Sequence, residues 1–299
     1  MPEILGTVQS VPVTKAPPGS CDCHTHVFGP AARFAYSPAR TYTPGDASIE
    51  DLLALHALLG IDRVVIVHPS PYLADNSCSV DALQRLGARA RGVAVIDDAT
   101  PDEALRDLHA AGMRGVRLNL ETFGNPDPDV AWARMEATAR RIAPLGWHVQ
   151  VYTSLALIAA ISDRVAGLPV PLVIDHFGRA MAADGVRQPG FDRMLALLET
   201  GRVYVKLSGA YRVSSQPGYR DVAPMARALI AANPDRLVWG TDWPHPGGGA
   251  GRRADSDAIE PFQAIDDGAA LDRLAGWAGD ADTLRRILVD NPGRLYGFE

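Results

Sequence analysis

The chain has 299 residues, a formal net charge of −6, 47 % hydrophobic and 21 % charged residues, an ordinary balance for a globular protein. That charge argues against a nucleic-acid partner, whose binding needs a basic stripe. No apolar run approaches the roughly 18 residues that span a bilayer, so no membrane segment is expected.

The length suits one large domain, and an α/β barrel fills it alone. Lys15 and Lys206 are the only lysines, so the positive charge is almost wholly arginine. Genomic base composition accounts for that; a bidentate grip on an anionic ligand is the other reading. Cys21, Cys23 and Cys78 are odd in number and form no C-x-x-C pair, which fits a reducing, cytoplasmic compartment without a disulfide framework.

Residues 1–20 lack a basic start, an apolar core and a small-residue cleavage site, and read as an extended lead-in. Residues 21–299 read as one catalytic domain. Eight short apolar runs follow in order: "CDCHTHVF", "DRVVIVHPS", "RGVAVID", "RGVRLNL", "WHVQVYTS", "PLVIDHFG", "VYVKLSG" and "RLVWGTDWPH". Each has strand length and β-branched content suited to burial on both faces.

Between them lie helix signals. "SIEDLLALHALLG" offers Ser48 and Asp51 as a capping box and Gly60 as a stop. "TPDEALRDLHAAG" offers Thr100 as cap, Pro101 at the first helical position and Gly112 as stop; "DADTLRRILVDNPG" is expected to end at its Asn-Pro step. Strands alternating with helices imply parallel βαβ units, and eight units predict a closed (β/α)8 TIM barrel. An open doubly wound sheet is the alternative, without an early G-x-G-x-x-G to support it. The glycine-rich stretch 244–257 lacks the Lys-Ser/Thr of a phosphate loop and reads as a lid or a simple connection.

Alternate residues of a strand share a face, so His24 and His26 point the same way. Strand 6 ends in Asp175-His176 and strand 8 in Thr241-Asp242, and barrel enzymes keep catalytic groups at such strand ends. His24, His26, His176 and Asp242 are therefore the candidate catalytic set. Packing alone explains four such groups on three strands poorly.

The segments "DCHTHVFGP", "HPSPYLADN", "RGVRLN", "VIDHFGR", "KLSGAYR", "WGTDWPHP" and "NPGRLYGF", spread from Asp22 to Phe298, together resemble the lactonase branch of the amidohydrolase superfamily. The resemblance implies a (β/α)8 barrel that opens pyrone, muconolactone or sugar-acid lactone rings. It also implies that a two-metal member would carry a bridging lysine or glutamate on strand 4 and a histidine late in strand 5. Arg117 and Tyr152 stand there instead, while His148 falls early in strand 5 and reads as structural. One Zn²⁺ held by His24, His26, His176 and Asp242 remains chemically possible, since imidazole and carboxylate both suit it. The pyrone-opening members work without metal, and the expectation is metal-independent catalysis with no cofactor.

On that reading Asp242 activates water, its pKa raised by burial near Trp239 and Trp243, and the three histidines polarise the carbonyl. A buried Asp242 that only orients a histidine is the plainer alternative. Arg117 and Arg212 would hold substrate carboxylates, with Ser70 and Tyr152 as hydroxyl donors; His68 is either lining or packing. Two departures from the pyrone lactonase pattern stand out: Glu121, Thr122 and Phe123 replace a second basic residue after strand 4, and Gly247 replaces an asparagine. They favour a smaller or less charged lactone, with Arg252 or Arg253 as a source of compensation. The expected partner is a small anionic lactone; oligomeric state is not legible. The rivals are a lactone isomerase, a zinc-dependent decarboxylase of the same superfamily, and a barrel that binds a carboxylated ligand without turning it over.

Overall fold

A computed structural model describes residues 2–120, 127–247 and 258–298. Every apolar run contains a strand: β1 (Cys21–Thr25), β2 (Arg63–Val67), β3 (Ala90–Ala94), β4 (Met113–Asn119), β5 (His148–Tyr152), β6 (Leu172–Ile174), β7 (Val203–Ser208) and β8 (Leu237–Gly240). They form one eight-stranded sheet whose spatial order is the chain order. A doubly wound sheet reverses its order at a switch point, and this one does not. The strands are buried along nearly their whole length, which is why their sequences run apolar without strict alternation.

The connecting helices are α1 (Ile49–Leu59), α2 (Ser77–Leu86), α3 (Asp102–Ala110), α4 (Pro128–Ile142), α5 (Leu155–Ile161), α6 (Phe191–Glu199), α7 (Ala223–Ala232) and α8 (Asp267–Ala278). Helix α1 starts with the expected reciprocal Ser48–Asp51 capping box and stops at Gly60, φ 70°. No described helix is long and apolar enough to cross a membrane.

Two helix ends differ from expectation. Helix α3 has Pro101 itself as cap residue, because the Thr100 hydroxyl is engaged by Asp97: it accepts from the Asp97 amide at 3.1 Å and donates to Oδ1 at 2.8 Å. The last helical stretch does not end at Asn291-Pro292. After α9 (Ala281–Arg285), a π-turn over Arg286–Asp290 leads directly into α10 (Asn291–Tyr296). Proline lacks an amide hydrogen, and the wider turn before it absorbs the missing bond.

The chain divides into two compact units, residues 1–113 with 241–273 and residues 114–240 with 274–299. In the first, β1 pairs with β2 and β2 with β3, and Trp243 makes a parallel bridge to Thr25. The backbone beyond β8 is thus tied to β1. The lead-in is equally fixed: Glu3–Ile4 and Thr7–Val8 pair antiparallel, the Ser10 amide donates to Asp266 at 3.0 Å, and the Val13 and Thr14 amides donate to Asp272 at 3.0 and 2.7 Å.

In the second unit, β7 pairs with β6 and β8, and β5 with β4 and β6. His148 opens β5 with its ring lying over Gly115, where a Cβ would meet Nε2 at 2.4 Å, and edge-on to Tyr296 at 5.3 Å. Burial, reinforced by the Lys206 ammonium, pulls its pKa down to about 3. The neutral ring is a structural part, as its place in the strand implies.

The unfolded chain protonates His148 near pH 6.5 and the folded one does not, so the unfolded state binds the extra proton. This histidine's contribution is therefore intact above about pH 6.5 and is lost progressively as pH falls toward the folded value of about 3. His148→Phe should give a shallower fall of unfolding free energy between about pH 7 and pH 4 than the parent in chemical denaturation. Parallel profiles would refute the assignment.

Candidate active site

In the first unit the site begins with a carboxylate that no water reaches. Asp22 and His24 lie in β1 and His26 just beyond its end, and the pairing of β1 with β2 shifts register between Asp22 and Thr25. Asp22 Oδ1 accepts from the amides of Thr241 at 3.0 Å and His24 at 3.2 Å. Its Oδ2 accepts from Thr241 Oγ1 at 2.6 Å and pairs with His56 Nε2 at 3.3 Å. Thr241 Oγ1 in turn accepts from the Trp243 amide at 3.0 Å. One side chain therefore sets the register of β1 against the segment that carries Asp242.

Asp242 sits at the next residue in left-handed backbone, φ 69°. Such a conformation costs a non-glycine residue about 1–3 kcal/mol and persists where surroundings over-determine it. Here they do: the Asp242 amide donates to His24 O, the His26 amide to Trp243 O and the His245 amide to Asp242 O, all at 2.8 Å. His24 and His26 stack edge to face at 5.1 Å. Asp242 Oδ1 lies 3.6 Å from His24 Nε2 and 3.5 Å from His26 Nε2, and both His24 and Asp242 are fully buried.

His26 Nδ1 lies 2.8 Å from Val67 O. A carbonyl only accepts, so that nitrogen carries hydrogen, and Nε2 turns a lone pair toward Asp242 unless the ring is doubly protonated. A proton or a cation between them is what this pairing calls for. The donor atoms of His24, His26 and Asp242 all lie within 4.8 Å of one another, and the carbonyl behind His26 is the kind of support a ligating histidine uses. The three residues fit a single divalent cation such as Zn²⁺.

The other sequence candidates of this unit lie around the same strand ends. Ser70 opens a short turn beyond β2 and is half-buried. His68 is fully buried and bonded through Nδ1 to Ser79 Oγ of α2 at 2.9 Å. His245 pairs through Nε2 with Asp267 at 3.0 Å. A Cβ on Gly247 would meet the Glu260 carboxylate. Glu121, Thr122, Phe123, Arg252, Arg253 and most of the 244–257 stretch lie outside the described residues.

The second unit holds His176, Arg117, Tyr152 and Arg212. Arg117, at the end of β4, is nearly buried and donates from Nε to Asp175 Oδ2 at 3.1 Å. Asp175 also accepts from Gln150 Nε2 at 3.1 Å and lies 3.5 Å from Lys206 Nζ, which donates to Gln150 Oε1 at 2.8 Å. Two buried cations thus flank one buried carboxylate. Its neighbour His176 is bonded through Nδ1 to Ser208 Oγ at 2.8 Å and meets the Tyr152 ring edge-on at 5.6 Å. Arg212 ends a turn after β7, half-buried, with its guanidinium 4.9 Å from the Tyr211 ring.

Sequence reasoning missed three participants. Asp22 was signalled as a carboxylate set in the apolar run "CDCHTHVF" two residues before His24. Lys206 was signalled as one of two lysines, set in the apolar strand "VYVKLSG". Arg179 donates from Nη1 to Tyr152 Oη at 2.5 Å, and the four-residue span from His176 that brings it there has no sequence signature.

The chain is 40 % identical over 294 residues to a 4-sulfomuconolactone hydrolase of Rhizobium radiobacter, covering 97 % of this chain and 94 % of that protein. It is 38 % identical over 301 residues to a 2-pyrone-4,6-dicarboxylate hydrolase of Comamonas testosteroni, covering 96 % and 93 %. An apo crystal structure of an Agrobacterium tumefaciens protein superposes with a TM-score of 0.82 at 27 % identity, covering 96 % of this chain and 97 % of that one. The eight parallel strands in chain order are those of a (β/α)8 barrel. With the amidohydrolase pattern matching residues 21–298, the chain belongs to the amidohydrolase family.

Proposed function

We propose that the protein hydrolyses a carboxylated lactone of muconolactone or sugar-acid type. The observation that carries this reading is the buried Asp242 carboxylate within 3.6 Å of two imidazole nitrogens. The similarity to two proteins named as hydrolases of a muconolactone and a pyrone supports it.

Asp242 takes a proton from water as the water oxygen adds to the lactone carbonyl carbon. The bond from that carbon to the ring oxygen then breaks, and the ring oxygen recovers a proton from Asp242 as it leaves. The product acid ionises near neutral pH, so each turnover releases one proton. The charge that develops on the carbonyl oxygen is met by the imidazoles of His24 and His26, and, by the sequence resemblance, His176. With Nδ1 held on Val67 O, His26 meets that oxygen through Nε2 when the ring carries both hydrogens. Arg117 and Arg212 hold substrate carboxylates, and Ser70 and Tyr152 donate hydroxyls to the bound ring.

His24, His26 and Asp242 would hold a divalent cation if one binds, and it would supply positive potential at the carbonyl oxygen. We propose that turnover does not require it. The sequence resemblance expects a metal-bridging lysine or glutamate on strand 4, and Arg117 near the end of β4 in its place supports this reading.

A proton-release screen of carboxylated lactones, run with and without chelator, tests both statements. Turnover with one proton per ring opened, unchanged by chelation and reduced about a thousandfold or more in Asp242→Asn, is expected. Turnover without proton release would mark an isomerase. Activity that follows removal and return of one zinc per chain would overturn the metal-independent route.

A further inference from the structure

The backbone that carries Asp242 closes a turn at His245, whose amide donates to Asp242 O at 2.8 Å. Both ends of that turn are left-handed, Asp242 at φ 69° and His245 at φ 66°. Residues with a Cβ hold such a conformation only where their surroundings impose it. At the Asp242 end β1 does so, through the Asp242 amide on His24 O at 2.8 Å. The His245 end has a separate support. Its carbonyl accepts from the Gln263 amide at 3.0 Å, and its Nε2 meets Asp267 Oδ2 at 3.0 Å. Asp267 is fully buried and His245 nearly so.

Asp267, the first residue of α8, is in turn held from the other end of the chain. Its amide donates to Gln9 Oε1 at 2.7 Å, and Gln9 Nε2 donates to Ile265 O at 3.0 Å. One buried side-chain amide thus closes over the backbone from Ile265 to Asp267. Ser10 adds to the grip: its amide and hydroxyl donate to Asp266 Oδ1 at 3.0 and 2.9 Å. The Ser10 carbonyl lies so close to Gly268 that a Cβ there would meet it at 2.0 Å. A buried amide costs free energy unless its ends are bonded. Both ends of Gln9 are, and they are bonded to the segment that sets where Asp267 stands. The bonds therefore run in one line, from Gln9 to Asp267, to His245, to the carbonyl of Asp242.

We propose that His245 and Asp267 are positioning residues for Asp242, and that Gln9 of the lead-in sets their geometry. The inference rests on the reading of Asp242 as the group that activates water. Without the His245–Asp267 bond the turn relaxes, and the Asp242 carboxylate is aimed at its water for a smaller fraction of the time. That lowers turnover more than it weakens substrate binding.

The test compares the full-length wild type with Asp267→Ala, Asp267→Asn and Gln9→Leu, by hydrogen–deuterium exchange read by mass spectrometry and by turnover of a lactone. Gln9→Leu leaves both His245 and Asp267 in place, so it decides the question if Asp267→Ala does not fold. Exchange over residues 241–246 should rise about tenfold or more in Asp267→Ala and by less in Gln9→Leu, with β2 and β3 exchanging as in wild type. Asp267→Asn keeps a bonding partner for Nε2 and should stay closer to wild type. On a lactone that is turned over, Asp267→Ala should lower kcat about tenfold or more and change KM by less than about threefold, with Asp267→Asn recovering most of the loss.

Exchange over 241–246 that is unchanged in both Asp267→Ala and Gln9→Leu would overturn the proposal. So would a rise shared equally by β2 and β3, which marks lost stability alone, or a loosened turn with kcat as in wild type. A turn loosened by Asp267→Ala but not by Gln9→Leu would reject the part given to the lead-in. Faster exchange confined to 241–246 in a protein that opens no lactone would retain the hold on the turn and reject the lactonase reading.

Discussion

Everything in the first unit's reactive cluster depends on how the buried Asp22 carboxylate is spent. Its oxygens engage His24 and Thr241 through backbone amides, Thr241 again through its hydroxyl, and His56 through its ring. A buried carboxylate without such partners costs several kcal/mol, so the arrangement is close to all-or-none. With it in place, the segment bearing His24 and His26 is held in one register against the backbone bearing Asp242. The left-handed turn at Asp242 becomes affordable because the neighbouring amides and carbonyls are already aligned to receive it.

The second unit uses the same device with different partners. Asp175 precedes His176 as Asp22 precedes His24 and His26, and its carboxylate is held by Arg117, Gln150 and Lys206. Charge-assisted bonds of this kind are short, directional and worth more than neutral ones. They fix the end of β6 just where the backbone enters the left-handed residues His176 to Arg179. In both units a fully buried aspartate is bonded next to a candidate histidine: Asp22 beside His24 and Asp175 beside His176.

The fold was legible because strands buried on both faces write themselves as apolar runs, and eight of them alternate with helix-forming segments. The details that failed were local competitions. Thr100 was free in sequence to cap α3 but is engaged by Asp97, and a proline step expected to end a helix is bridged by a π-turn. Of the site, His24, His26 and Asp242 were readable because strand-end position is a one-dimensional rule. The partners of Asp175 were not: Arg117, Gln150 and Lys206 come from three strands and meet only through the register of the sheet. Arg179 was hidden for another reason. Its position depends on backbone handedness at residues whose types do not announce it.

The most direct test of the claim that Asp22 sets the first unit's cluster is a double-mutant cycle between Asp22 and Thr241, with Asp22→Asn, Thr241→Val and the double variant compared by chemical unfolding. The account predicts a coupling energy of about 1–3 kcal/mol, since each single change strands the other's buried group. Additive losses, with a coupling below about 0.5 kcal/mol, would contradict it.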